Sequence, residues 1–145
     1  MNSLRSDPRI FVDTSAYYAV VDQPDASHAV ASTALRDLVA AQRRFISTNA
    51  VLFELHGLLV NRLGRDAALK TFRELRVSQT IVRVRERDET RAEDILAQYQ
   101  DKAFSLTDAL SFAVMERIGI STAFSLDRHF AQFGWEMVAL EEAGR

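Results

Sequence analysis

The chain has 145 residues, 48% of them hydrophobic and 26% charged, with a formal net charge of -2 and no cysteine. That length suits one domain, residues 1–145, with a sizeable core. The lack of cysteine excludes disulfides, zinc-thiolate sites and thiol catalysis, leaving any metal to oxygen or histidine ligands.

Residues 1–8 are polar, and neither they nor 141–145 carry a pattern that would hold them, so both ends are expected to fray. No apolar run is long enough for a membrane span, and the sequence points to a cytoplasmic protein with no membrane contact. Arg9-Ile-Phe-Val12 favours a buried strand, and Asp13-Thr-Ser15 supplies the residues that end strands and cap helices. A short apolar helix follows from Thr14 to Val21 and stops at the turn cluster Asp22-Gln-Pro-Asp25. From His28 to about Ala41 the apolar residues fall at helical spacing, and Arg43 to Ser47 reads as a strand.

Thr48-Asn49 is a cap pair for the clearest helix in the chain, in which Val51, Leu52, Leu55, Leu58, Leu59 and Leu63 form one stripe up to Gly64. Asp66 opens another helix that runs to about Leu75, and Thr80 to Arg83 is strand-like. The charged stretch from Arg83 to Asp94, with Ala92, Ile95, Leu96 and Tyr99, reads as a helix with a broad solvent face. Ser105-Leu-Thr-Asp108 starts a largely apolar helix that ends at Gly119. Thr122 to Ser125 is a strand, and Trp135 to Leu140 supplies a short edge strand. Strands alternating with helices predict a mostly parallel sheet covered on both faces, a three-layer α/β/α sandwich.

Four acids sit where solubility does not require them. Asp13 and Asp127 directly follow strand-like runs, Glu54 lies beside the apolar stripe of its helix, and Asp108 lies in the first turn of its own. Taken singly, Asp13 and Asp127 read as caps, Asp108 as a first-turn acid and Glu54 as the partner of a buried arginine. Gathered on one rim they repel, each close pair costing about 1 kcal/mol in water and roughly 4 at an effective dielectric of 20. Such a cluster persists when a cation occupies it, and hard oxygen ligands select Mg²⁺ or Mn²⁺.

These residues resemble the PIN-domain metal-dependent ribonucleases, most closely their VapC-like toxin branch, over nearly the whole chain. Phe-Val-Asp13-Thr-Ser looks like the family's opening motif, Thr-Asn-Ala-Val-Leu-Phe-Glu54 its central acid, Ser-Leu-Thr-Asp108-Ala its third acid and Phe-Ser-Leu-Asp127-Arg-His-Phe its fourth. The resemblance implies that Asp13, Glu54, Asp108 and Asp127 bind one or two Mg²⁺ or Mn²⁺ ions and hydrolyse RNA. It implies, too, a homodimer inhibited by a small cognate antitoxin. Ser15 and Thr107 are expected to orient Asp13 and Asp108, with Thr48 and Asn49 capping the helix of Glu54. His28, His56 and His129 are expected at rim contacts or in packing, not on a metal.

Four other readings compete. A PIN-like nuclease without an antitoxin shares the same site, and a non-catalytic scaffold would bind RNA or protein without cutting. A phosphotransferase using Asp13 as nucleophile, as in haloacid-dehalogenase-like phosphatases, needs a second aspartate where Ser15 stands. Dinucleotide binding lacks a phosphate-cradling loop among the five scattered glycines.

Overall fold

The computed structural model describes residues 7–139. Most of the ends expected to fray lie outside that range, but residues 7 and 8 are held. Arg9 N donates to Asp7 Oδ1 at 2.9 Å, and Arg44 N donates to the Pro8 carbonyl at 2.8 Å, so pairing begins one residue ahead of the first strand.

The elements run β1 (Arg9–Val12), α1 (Thr14–Val21), α2 (His28–Ala40), β2 (Arg44–Thr48), α3 (Asn49–Leu63), α4 (Arg65–Ser78) and β3 (Thr80–Val82). They continue with α5 (Glu86–Gln98), α6 (Leu106–Ile118), β4 (Thr122–Phe124), α7 (His129–Phe133) and β5 (Glu136–Val138). All strand pairs are parallel, in the order β3-β2-β1-β4-β5. The α/β sandwich expected from the alternation is therefore present. The last strand is shorter than expected, and Leu140 lies outside the described residues.

Register explains how two helical layers share the sheet. Val12 pairs with Phe124 and Ile10 with Phe45, which puts these side chains on one face. There Val12, Phe45 and Phe124 meet Tyr17 of α1, Leu35 of α2 and Leu75 of α4. Phe11 points the other way, onto Phe130 of α7, which packs edge-on against Phe112 of α6. Phe11, Phe112, Phe124 and Phe130 are no more than 2% exposed, and each stabilises the fold by about 1.5–3 kcal/mol relative to exposure.

Local chemistry starts and stops the helices that matter for the site. Thr48 Oγ1 accepts from Val51 N at 3.1 Å and opens α3. Ser105 and Asp108 form a reciprocal capping box at the start of α6, each side chain accepting from the other's backbone N–H at 3.0 Å. Gly119, with φ 75°, ends α6 in a left-handed conformation that costs a side-chain-bearing residue about 1–2 kcal/mol.

Strand order also fixes where a ligand can sit. From β1 the chain moves outward to β2 and β3, then crosses to the far side of β1 for β4 and β5. The reversal falls between β1 and β4, and parallel sheets open a crevice at the C-terminal ends of the strands flanking such a point. Asp13 follows β1 directly, and Ser125 to Asp127 follow β4. No helix among the described residues is long and apolar enough to cross a membrane.

Candidate active site

At the strand reversal lies an open cavity of about 320 Å³, lined by Asp13, Glu54, Asp108 and Asp127 together with Thr14, Ser15, Tyr18 and Leu58. The four acids singled out in the sequence thus share one cavity, although they come from four separate segments. Parallel pairing of β1 with β4 brings Asp13 and Asp127 to the same edge, and Asp13 N donates to the Phe124 carbonyl at 3.1 Å. Asp108 arrives on the first turn of α6. Glu54 arrives from the second turn of α3, one helical turn from Leu58, and both face the cavity mouth.

Three of the carboxylates are held by one oxygen each. Asp13 Oδ2 accepts from Ser15 Oγ at 2.7 Å, Ser125 Oγ at 3.0 Å and Ser15 N at 3.3 Å. Asp108 Oδ2 accepts from Ser105 N at 3.0 Å and from His129 Nδ1 at 2.8 Å. Asp127 Oδ1 accepts from His129 N at 2.9 Å and lies 3.3 Å from His129 Nδ1. Among the described residues no hydrogen bond reaches Asp13 Oδ1, Asp108 Oδ1 or Asp127 Oδ2. Thr14 Oγ1, on the cavity wall, is buried with no hydrogen-bond partner among the described residues.

Electrostatics raises the cost of this arrangement. Burial pushes the Asp13 carboxyl up to about 6, and the charges of Asp108 and Asp127 add to the effect, outweighing hydrogen bonds from Ser15 and Ser125. Asp108 is raised as well, by burial first and by Asp127's charge, against the hydrogen bonds from Ser105 and His129. Asp13 is 4% exposed and Asp108 7%. Gathering these acids around one cavity without a cation is unfavourable, and carboxylate oxygens are hard donors suited to a divalent ion. Among the described residues the one group with ligand atoms within 4.8 Å of one another is Asp108, Asp127 and His129; Asp13 and Glu54 line the same cavity but fall outside that group.

The remaining sequence candidates divide. Ser15 bonds Asp13, and its hydroxyl also accepts from Leu126 N at 3.0 Å. Thr48 caps α3. Asn49 does not cap; its Oδ1 accepts from Val84 N at 2.9 Å and ties α3 to the chain leaving β3. Thr107 takes no part in the hydrogen bonds to Asp108, which come from Ser105 and His129, because the capping box already turns Asp108 back toward Ser105. Glu54 pairs with no arginine among the described residues, and its side chain is exposed. Leu58, placed on the buried stripe by its spacing, is 46% exposed on the rim.

His28 and His56 keep to packing, the first with Nδ1 2.8 Å from the Ala19 carbonyl and the second edge-on to Phe72. His129 enters the site. Its signal was the spacing Ser125-x-Asp127-x-His129, a tight turn in which Asp127 N donates to Ser125 Oγ and His129 N to Asp127 Oδ1. Ser125 was missed for the same reason, since its hydroxyl donates to Asp13 while accepting from Asp127 N at 3.0 Å.

The chain is similar to known proteins over most of its length. The family model described as PIN domain matches residues 10–136. A 23S rRNA-specific endonuclease of Mycobacterium tuberculosis, VapC20, is 36% identical over 135 residues, covering 91% of this chain and 99% of that protein. Ribonuclease VapC26 of the same organism is 29% identical over 124 residues, covering 84% of this chain and 90% of that one. The crystal structure of M. tuberculosis VapC20, described as a sarcin-ricin loop cleaving toxin, superposes with a TM-score of 0.79 at 32% identity, over 87% of this chain and 95% of that one. With its parallel sheet, its acids at the strand reversal and these relatives spanning almost its whole length, the chain belongs to the PIN domain family, in the VapC branch.

Proposed function

We propose that the chain is a divalent-metal-dependent endoribonuclease acting as the toxin of a toxin and antitoxin pair, with Asp13, Glu54, Asp108 and Asp127 as its catalytic and metal-binding acids. One observation carries the reading. Asp13, Asp108 and Asp127 each have one oxygen fixed by the protein and the other uncommitted in a shared cavity, the arrangement of carboxylates oriented to receive a cation.

The uncommitted oxygens of those three residues would hold Mg²⁺ or Mn²⁺, with Glu54 as a further ligand from the open side. When bound, such an ion neutralises phosphodiester charge and makes water acidic enough to serve as nucleophile. Ser15 and Ser125 keep Asp13 turned toward the cavity, while His129 fixes the spacing of Asp108 and Asp127. The Ser15 hydroxyl donates to Asp13 and accepts from Leu126 N, which gives it an orienting role, and a water near the ion would be the nucleophile of a hydrolysis.

The similarity to a 23S rRNA-specific endonuclease and to a sarcin-ricin loop cleaving toxin supports a ribosomal RNA loop as the target. RNA loops present splayed bases and phosphates that a shallow, open cavity admits more readily than a duplex. The direct test is incubation of the purified chain with total RNA in Mn²⁺, in Mg²⁺ or in chelator, with cleavage ends mapped. Discrete cuts that need metal and vanish in Asp108→Asn are expected. Cleavage retained in chelator, or by Asp108→Asn, overturns the assignment.

A further inference from the structure

Resting on the ribonuclease reading, we propose that a second cavity, on the opposite flank of α3 from the acids, is a stacking subsite for one nucleobase of the RNA. It has a volume of about 270 Å³, and Phe53, Phe72, Arg76 and Arg83 line it while no carboxylate does. The Phe53 and Phe72 rings are 27° from parallel with centroids 6.3 Å apart, and the Arg76 guanidinium lies 5.4 Å from the Phe72 centroid. Phe53 is 58% exposed, so its ring is free to receive a planar partner. Arg76 and Arg83 form no ion pair among the described residues.

Position makes the cavity more than an exposed aromatic patch. Phe53 and Glu54 are neighbours in sequence and line different cavities, so α3 forms a ridge between an acid site and a basic, aromatic one. A helix is roughly 10 Å across, a span of a few nucleotides along an RNA strand. Single-stranded RNA is held by stacking bases on aromatic rings and guanidinium planes while arginines take the flanking phosphates. The cavity offers these elements together. A second copy of the chain is the less suitable occupant, because a two-fold interface through this face brings two sets of Arg76 and Arg83 together with no carboxylate in the cavity lining to offset them.

The test uses a single-stranded RNA of about 12 nucleotides with 5-iodouridine at successive positions, bound to Asp108→Asn protein so that it stays intact. Ultraviolet cross-linking is expected to join one position to Phe53 or Phe72, read by mass spectrometry. Adding Phe53→Ala or Arg83→Gln is expected to weaken binding roughly 5- to 100-fold, with Phe53→Trp retaining it and Arg36→Gln on α2 neutral. Cross-links elsewhere, with unchanged affinity in Phe53→Ala, overturn the subsite while leaving the proposed activity standing, provided the unaltered chain still cuts RNA. A dimer that dissociates in Phe53→Ala with RNA binding intact assigns the face to a second copy and overturns it too. An unaltered chain that neither binds nor cuts RNA overturns both proposals.

Discussion

Asp13→Asn is expected to make the metal-free protein more stable while removing its activity. The folded-state carboxyl is pushed from 3.8 up to about 6, chiefly by burial. Below the unfolded value both states carry the proton, and the group contributes nothing to the pH dependence. As pH rises toward 6 the unfolded carboxylate ionises freely and the folded one does not, so stability falls; above 6 the loss is complete. About two pH units of displacement correspond to roughly 3 kcal/mol. Asparagine keeps the shape and an oxygen for Ser15 and Ser125 to donate to, without the charge. The variant is therefore expected to gain up to roughly 3 kcal/mol at pH 7.5 in chelator, about 10 °C in Tm for a domain of this size. Thermal unfolding from pH 4 to 8 measures it. The decline in wild-type stability across this window is expected to shrink in the variant, with a remainder from Asp108, whose carboxyl is also raised. Added Mn²⁺ reverses the ranking by stabilising the wild type. A variant no more stable than the wild type in chelator, or one with the full wild-type pH dependence, refutes the reasoning.

Other consequences are open to simpler assays. His129→Ala removes the donor shared by Asp108 and Asp127 and is expected to weaken Mn²⁺ binding about 10- to 100-fold by calorimetry. Arg117 clamps Asp88 with two bonds of 2.8 and 2.9 Å between α6 and α5. Burial works to raise the Asp88 carboxyl, but Arg117 and the Arg85 amide hold it below the usual range. Arg117→Ala leaves that buried carboxylate unpaired and is expected to cost about 3 kcal/mol in urea unfolding. Thr48→Ala removes the α3 cap and is expected to cost about 1 kcal/mol by the same measurement.

The parallel sheet and its helices were legible because each strand is a short apolar run ended by polar residues and each long helix repeats its apolar face several times. Five-residue α7 was not, since a single turn carries no period and is set by Asp127 accepting from His129 N. The acids at 13, 54, 108 and 127 could be named as a group because each departs from its segment's pattern. Their supporting residues were harder to find. Ser125 is brought to Asp13 by the β1–β4 pairing, and His129 reaches Asp108 from the start of α7 to the first turn of α6, contacts between segments distant in sequence. Thr107 was expected to orient Asp108, whereas the capping geometry selects Ser105, three positions before that acid.

The account turns on the uncommitted oxygens of the acid cavity, and anomalous diffraction from crystals soaked in Mn²⁺ tests it most directly. The predicted result is a manganese peak among Asp13 Oδ1, Asp108 Oδ1 and Asp127 Oδ2 that disappears in Asp13→Asn. A manganese peak elsewhere on the chain, with that cavity empty in a crystal form whose dissolved protein still cuts RNA, would contradict it.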